Sequence, residues 1–154
     1  HITVPTTRTS NRSNRRCCLS RDGLVRLMLA ATCLALNVYF EARSEAINAQ
    51  FAVAQVTMNR VLSNKYPDTV CDVVWQRKQF SWTHDGKSDR PREEQAWRRA
   101  KWVAAVTLTD VDNSVDILPR SALYFHADYV KPYWVSSLVK VAQIGRHIFY
   151  RRKT

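Results

Sequence analysis

Negative charge, cysteine motifs and repeats are what this sequence has least of. Its 154 residues include 13 Asp and Glu against 24 Lys and Arg, a net charge of +11, so we expect an anionic partner: a nucleic acid, an acidic membrane surface or an acidic polymer. There is no CxxC pattern and no histidine at ligand spacing, so we expect no zinc site, and the function favoured below requires no metal or organic cofactor. Without repeats, a chain of this length is expected to form a single domain with its own core.

Large apolar residues are nearly absent from residues 1–20, which are rich in Thr, Ser, Asn and Arg. Such a segment buries too little apolar surface to order itself. We therefore predict a flexible basic tail over residues 1–21 and one domain over residues 22–154.

The apolar runs are shorter than a membrane span. The most apolar stretch, Leu24–Phe40, follows a basic segment and so imitates a signal peptide. It is interrupted by Arg26 and Asn37, and it falls short of the ~20 residues that a spanning helix needs. A buried helix is the preferred interpretation, and secretion or anchoring is the alternative.

This stretch has the spacing of one helical face, with apolar residues at i, i+3, i+4 and i+7. The residues of the face are Leu24, Leu27, Met28, Ala31, Leu34, Ala35 and Val38. Asp22 precedes them and is the predicted N-cap. Glu41 continues the same face, so its carboxylate is predicted to point inward near the helix C-terminus, where the helix dipole disfavours negative charge. Tyr39 and Phe40 can exclude water beside it, and both effects raise the pKa of Glu41.

A second helix is predicted to begin directly afterwards. Ser44 can cap it, and Glu45 then lies in its first turn, where the dipole favours a charged carboxylate. Two acids at opposite helix ends have their proton affinities pushed apart, which is typical of acid/base sites. The structural alternative is that Glu41 pairs with Arg43 or Arg60. Arg43 is expected to hold one of the two acids in a salt bridge.

The remaining segments predict further helices and a small sheet. "VCDVVW" favours a short helix, and Pro91 suits the first turn of a longer helix that ends near Asp110. A small antiparallel sheet is predicted from the β-branched and aromatic content of three segments, "ALYFHA", "VKVAQIG" and "RHIFYRR". The predicted fold class is therefore mainly α, of the α+β type, with a small antiparallel β-sheet.

Five ordered blocks of the sequence resemble a known family. The blocks are "CLALNVYFEARSE", "AVAQVTMNRV", "YPDTVCDVVWQRKQFSW", "ALYFHADYVKPYW" and "IGRHIFYR". In order and spacing they are similar to the cell wall hydrolase family of the spore-cortex lytic enzymes, which also occurs in bacteriophage endolysins. We therefore expect a phage endolysin-type member of this family.

The resemblance implies a lysozyme-like fold and a lytic transglycosylase that cleaves the bond between N-acetylmuramic acid and N-acetylglucosamine in peptidoglycan. Glu41 matches the first acid of the family's Glu-Ala-Arg-Gly-Glu motif, so the resemblance implies that it is the single catalytic acid and base. Ser44 stands where the family has Gly, which suggests an ordinary N-cap. By themselves, Cys33 and Cys71 fit either a disulfide or two buried thiols, and the resemblance favours the disulfide.

Six further residues are candidate substrate contacts. Amide and hydroxyl groups suit N-acetyl groups, and aromatic rings suit the C–H faces of sugars. The candidates are Gln79, Ser81, His126, Glu45, Tyr124 and Trp134. Core packing is the alternative for the aromatic residues, and Phe80 and Trp82 are expected to anchor their loop. A structural role is the alternative for His126 and the expectation for His147.

Partners, location and chemistry follow from the resemblance and the charge. The expected partners are peptidoglycan glycan strands and, through the tail, anionic outer-membrane lipid, with no specific nucleic acid and a monomeric state. The expected place of action is the periplasm or cell wall, after synthesis of a phage-encoded protein in the host cytoplasm.

Three different functions compete with the lytic transglycosylase. The first, a muramidase that uses water, needs a second carboxylate, Glu45 or Asp85, at ~5–5.5 Å or ~6.5–9.5 Å. The second is a basic nucleic-acid-binding domain, which the net charge and the aromatic residues would suit. The third is a non-catalytic module that binds the cell wall.

Overall fold

Four helices and a three-stranded sheet form the domain in this computed structural model, which describes residues 19–110 and 115–154. The helices are α1 (Arg21–Ala42), α2 (Ile47–Leu62), α3 (Val70–Val74) and α4 (Glu94–Thr109). The strands are β1 (Tyr124–Ala127), β2 (Leu138–Ile144) and β3 (His147–Arg152), and two short 3₁₀ turns span Ser81–His84 and Tyr133–Ser137. The predicted fold class is confirmed. Nearly all of the predicted tail, with Cys17 and Cys18, lies outside the described residues, and the boundary at residue 22 stays a prediction.

The sheet is antiparallel and has the order β1-β3-β2, so β3 is its central strand. In the register, His126 of β1 lies opposite Ile148 of β3. Gly145 turns the chain between β2 and β3 with a φ of +58°, a conformation that favours glycine. The three segments predicted from β-branched and aromatic content therefore pair as one sheet.

The core lies between the second half of α1 and the two other long helices. Leu34 and Val38 of α1, Val53 of α2 and Val103 of α4 are fully buried. In α1 the buried side chains recur at the helical spacing that the sequence shows. The core helix predicted over this half of α1 is therefore confirmed. The whole of α1 is 22 residues long, more than the apolar stretch in the sequence, and by length and composition it is sufficient to span a membrane, so the expectation that it is too short was wrong.

The first half of α1 differs from the prediction. Leu24, Leu27 and Met28 are 49%, 37% and 63% exposed, whereas the buried face begins only at Cys33. Periodicity identifies residues that share a face but not how far another element extends along it. The N-cap also differs: the Ser20 hydroxyl accepts from the amide of Gly23 at 3.1 Å, and Asp22 already lies inside the first turn.

Two other helix starts lie later than predicted. α2 follows Ala46, which makes no side-chain cap, so Ser44 and Glu45 belong to the turn before the helix. α4 begins at Glu94 rather than at Pro91, because the Tyr39 hydroxyl accepts the backbone amide of Glu93 at 3.1 Å and holds the chain extended before the helix. α4 ends at Thr109, next to the predicted end near Asp110, and the short helix α3 is as predicted.

A disulfide joins Cys33 of α1 to Cys71 of α3, with their Cα atoms 5.2 Å apart. Of the two interpretations that the sequence leaves open, a bridge and a pair of thiols, the structure contains the bridge. It closes a loop across 38 positions of the chain and ties the middle of α1 to the segment that leads into the 79–82 loop.

Candidate active site

Glu41 lies in the last turn of α1 and faces a cavity of about 330 Å³, here called the central cavity. The lining residues of this cavity are Phe40, Glu41, Arg60, Gln79, Phe80, Ser81, Trp82, Phe125, His126, Ala127, Tyr129 and His147. Burial raises the pKa of Glu41 from 4.5 to about 7, and the charge of Arg60 opposes this rise without cancelling it. Glu41 therefore faces inward as predicted, and its pKa shifts in the predicted direction, with burial as the cause. A carboxyl group of this kind is protonated in a large fraction of molecules near neutral pH.

The loop opposite Glu41 is fixed to α1 and α2 by a buried polar chain. The indole N–H of Trp82 donates to Oδ1 of Asn37 at 2.9 Å, and Nδ2 of Asn37 donates to the hydroxyl of Thr57 at 3.1 Å. The ring of Trp82 also stacks on Phe40 with centroids 4.8 Å apart. These contacts fix Trp82 in the cavity wall, because each polar group of this chain of hydrogen bonds has a partner.

Gln79 and Ser81 alternate with the two loop anchors, as the sequence predicts. Phe80 and Trp82 are buried, whereas Gln79 and Ser81 are exposed and line the central cavity together with Glu41. An amide and a hydroxyl therefore lie in the same cavity as the raised-pKa carboxyl group.

His126 lines the central cavity but is held by the sheet. Its Nδ1–H donates to the carbonyl of Ala127 at 2.7 Å, so Nε2 is the acceptor for the hydroxyl of Tyr150 at 2.8 Å. The ring also stacks on Tyr150 with centroids 5.3 Å apart. Both nitrogens of His126 therefore have protein partners, and its ring packs within the sheet.

Glu45 is not brought to the central cavity. Its Oε2 lies 3.4 Å from the backbone N of Arg146, and its Oε1 lies 3.6 Å from Nδ1 of His147. His147 does line the cavity. Burial lowers the pKa of His147, so this buried ring is neutral at pH 7, and the charge of Glu45 only partly opposes that shift. Glu45 therefore fixes the β2–β3 turn beside the site.

The turn at Gly145 gives a testable consequence. A Cβ added to Gly145 would lie 2.6 Å from Oε2 of Glu45, while one added to Gly86, at a φ of +75°, would meet nothing within 4 Å. We expect Gly86→Ala to lower the free energy of unfolding by about 1 kcal/mol, the cost of the left-handed backbone alone. Gly145→Ala should cost about 1 kcal/mol more, because the Glu45 carboxylate must move away from the amide of Arg146. Urea denaturation measures both, and equal costs would contradict the packing of Glu45 against this turn.

Arg43 does not hold either acid of the motif. Its Nε pairs with Oε1 of Glu93 at 2.9 Å on the surface, so the expected salt bridge is formed with a residue just before α4. The expectation was wrong because a side chain at the end of α1 reaches whichever element packs beside it, and sequence distance does not identify that element.

Arg60 lines the central cavity, a position that sequence reasoning did not predict. It lies on the buried face of α2, its Nε donates to the carbonyl of Leu123 at 2.8 Å, and its guanidinium lies 5.0 Å from the ring centroid of Phe80. Its position four residues after Val56 and seven after Val53 is the available signal, because a cation on an apolar helical face is uncommon without a reason.

Two further cavities adjoin the central cavity. The loop-side cavity, about 410 Å³, shares Phe40, Ser81 and Trp82 with it. The sheet-side cavity, about 530 Å³, shares Arg60, Gln79 and Phe125 with it and contains the predicted contacts Tyr124 and Trp134. The three cavities therefore form one groove with Glu41 at its middle. Within residues 19–110 and 115–154, Glu41 is the only carboxylate that lines the central cavity.

The sequence profile of the Cell Wall Hydrolase family matches residues 44–150. The chain belongs to this family. It is 34% identical over 116 residues to a spore cortex-lytic enzyme of Oceanobacillus iheyensis and 30% identical over 116 residues to one of Bacillus subtilis. These alignments cover 75% of this chain but only 39% and 35% of the two relatives, so the chain spans well under half of their length.

Two solved structures have similar folds. One is the catalytic domain of the germination-specific lytic transglycosylase SleB from Bacillus anthracis, with a TM-score of 0.65 and 31% identity over 79% of this chain and 93% of that domain. The other is the catalytic domain of the Bacillus cereus SleB protein, with a TM-score of 0.59 and 26% identity over 80% and 91%. The described domain therefore has the fold of these catalytic domains, as the sequence resemblance implies.

Proposed function

We propose that this chain cleaves the glycan strands of peptidoglycan as a lytic transglycosylase, with Glu41 as its single acid and base. The observation that carries the proposal is the position of Glu41, whose pKa is raised to about 7, at the middle of a groove with aromatic walls. Membership of the cell wall hydrolase family and the fold shared with a lytic transglycosylase support the same activity.

The mechanism uses one carboxyl group twice. Protonated Glu41 first donates its proton to the glycosidic oxygen between N-acetylmuramic acid and N-acetylglucosamine, and the C1–O bond breaks. The resulting carboxylate then takes the proton from the O6 hydroxyl of the same muramic acid residue as O6 bonds to C1. Glu41 ends protonated, as it began, and the muramic acid ends as an anhydro sugar. A raised pKa is needed because the group must start the cycle neutral.

A muramidase that uses water is the second candidate, since it acts on the same bond. It needs a second carboxylate at ~5–5.5 Å for retention or ~6.5–9.5 Å for inversion. Glu45 packs against the β2–β3 turn, and Asp85 lines the loop-side cavity rather than the central one. The placement of these acids favours the intramolecular route.

Mass spectrometry of digested sacculi distinguishes these routes. We expect anhydro-muramic ends, which form only when the sugar's own hydroxyl attacks C1. Reducing muramic ends would replace the proposal with the muramidase. Intact sacculi that retain bound protein would replace it with a non-catalytic wall-binding module.

We also propose a biological role for this activity, that of an endolysin. The protein would be encoded by a phage, made in the host cytoplasm, and act in the periplasm or cell wall. The Cys33–Cys71 disulfide supports an oxidising place of action. The arginine-rich residues 1–18 would contact anionic outer-membrane lipid. Removing residues 1–18, which keeps the Ser20 cap, should reduce lysis of untreated Gram-negative cells and leave digestion of purified sacculi unchanged. Equal lysis of the cells would remove the lipid role.

A further inference from the structure

The sheet-side cavity continues the groove on one side of Glu41. Its walls include Tyr124 and Trp134, whose ring centroids are 6.1 Å apart, and Tyr133, which is 93% exposed at its rim. Exposed and half-buried aromatic rings of this kind are suited to the C–H faces of sugars. A glycan strand whose scissile bond lies at Glu41 would therefore extend across this cavity.

Arg60 is a buried cation that is not fully paired. Only 5% of the residue is exposed, and its Nη1 is buried without a hydrogen-bond partner among the described residues. A buried donor left unpaired is costly, so such a group in a native structure calls for a ligand or a functional explanation. Because Arg60 lines both the central and the sheet-side cavities, an acceptor on the bound strand can reach this part of the groove.

Lys78 is a second cation of the sheet-side cavity, and its backbone is strained. Its φ of +65° makes it the one non-glycine residue with a positive φ in the described part of the chain. That conformation costs an L-residue roughly 1–2 kcal/mol, and such strain is concentrated at ligand sites. Lys78 and its neighbour Gln79 both line this cavity.

The charge of the sheet-side cavity differs from that of the loop-side cavity. Arg60 and Lys78 are the charged residues among the described lining of the sheet-side cavity, and both are cations. The loop-side cavity instead combines carboxylates such as Asp85 and Glu93 with cations such as Arg43. An anionic group on the strand is therefore favoured more on the sheet side, where no carboxylate opposes the two cations.

We propose that the sheet-side cavity is a subsite for a carboxylate-bearing muramoyl residue, with Arg60 and Lys78 receiving the carboxylate and the aromatic rings receiving the sugar. The inference rests on the proposed function and adds the side of Glu41 on which the anionic residue binds. The carboxylate has two sources with the same chemistry, the lactyl group of a bare muramic acid and the stem peptide attached to it.

Binding measurements with uncleaved strands test this subsite. In a Glu41→Gln background, Lys78→Gln removes one charge, and Lys140→Gln removes one from an exposed position on β2 that lines none of the three cavities. The ligands are soluble glycan strands with stem peptides, strands stripped of peptides by an amidase, and neutral chito-oligosaccharides. Calorimetry gives Kd for each pair, and end-group analysis confirms that the strands stay intact. If Glu41 is not the catalytic residue, the Glu41→Gln background will still cleave the strands, and end-group analysis will detect the new ends. A failure of the proposed function is thus distinguished from a failure of the subsite, which appears in Kd.

We expect Lys78→Gln to raise Kd for peptide-bearing strands about fivefold, the equivalent of about 1 kcal/mol for an exposed ion pair, and to leave Kd for chito-oligosaccharides unchanged. The Lys140→Gln variant should bind all three ligands like its parent. Weakening with peptide-bearing strands alone would identify the stem peptide as the source of the carboxylate. Weakening with stripped strands alone would identify the lactyl group, whose carboxylate is free only after the peptide is removed, and weakening with both would show that the subsite accepts either carboxylate. An unchanged Kd for every strand, or equal weakening with the neutral ligand, would overturn the proposal.

Arg60→Lys gives an independent measurement. It keeps the charge but loses the hydrogen bond of Nε to Leu123, so its fold is checked first by circular dichroism. We expect Kd for carboxylate-bearing strands to rise about tenfold and Kd for chito-oligosaccharides to change less, because the planar fork that binds a carboxylate is lost. Equal changes for the two ligands in a folded variant would contradict a carboxylate contact at Arg60.

Discussion

Replacing Glu41 by glutamine is expected to slow peptidoglycan cleavage roughly 10²- to 10⁴-fold, the contribution typical of a general acid or base. Glutamine has nearly the shape of a protonated glutamic acid but no transferable proton. The fold should be kept, because burial already favours the neutral form of Glu41, whose pKa is raised to about 7. Loss of turbidity of purified sacculi measures the rate.

The matched control is Glu94→Gln, the same substitution in the exposed first turn of α4, where Glu94 pairs with Arg98. A surface ion pair of this kind contributes little, so the control should cleave at the parent rate. If the Glu41→Gln and Glu94→Gln variants cleave equally fast, Glu41 is not the proton donor.

Replacing both Cys33 and Cys71 by alanine is expected to lower the free energy of unfolding by about 4 kcal/mol. The bridge closes a loop across 38 positions, and in the chain-entropy description a loop of this length restricts the unfolded state by that amount. The loss is a large fraction of the ~5–15 kcal/mol that stabilises a typical domain. Urea denaturation of the parent and the double variant measures it.

A reducing agent provides the control for the disulfide. The parent should lose stability on reduction, while the double variant should be insensitive to the same treatment. If the oxidised parent and the double variant had the same free energy of unfolding, the bridge would add nothing to the stability of the domain.

The position of Glu41 could be predicted from sequence because helical periodicity is a local property. Three residues after Val38 and seven after Leu34, Glu41 must share their face, and both of those residues are fully buried. The alternation of exposed and buried side chains from Gln79 to Trp82 is also a local property. Phe80 and Trp82 are buried and anchor the loop, so their neighbours Gln79 and Ser81 face the cavity.

Contacts between distant segments could not be predicted in this way. The sequence does not show that Arg43 meets Glu93, that Glu45 packs against the turn at Gly145, or that the hydroxyl of Tyr39 delays the start of α4. The groove is a product of such contacts, because residues from α1, α2, the 79–82 loop and the sheet form its walls. The partly unpaired guanidinium of Arg60 becomes visible only when they are assembled.

The titration of the Glu41 carboxyl group tests the central claim most directly. Carbon-13 NMR of glutamate-labelled protein follows the side-chain carboxyl signals with pH, and the Glu41→Gln variant identifies the signal of Glu41. The account predicts a pKa of about 7, caused by burial, and a cleavage rate that falls as the pH rises beyond it because the acid form is lost. A pKa at or below the ordinary value of 4.5 would contradict the account, because Glu41 would then have no proton to donate near neutral pH.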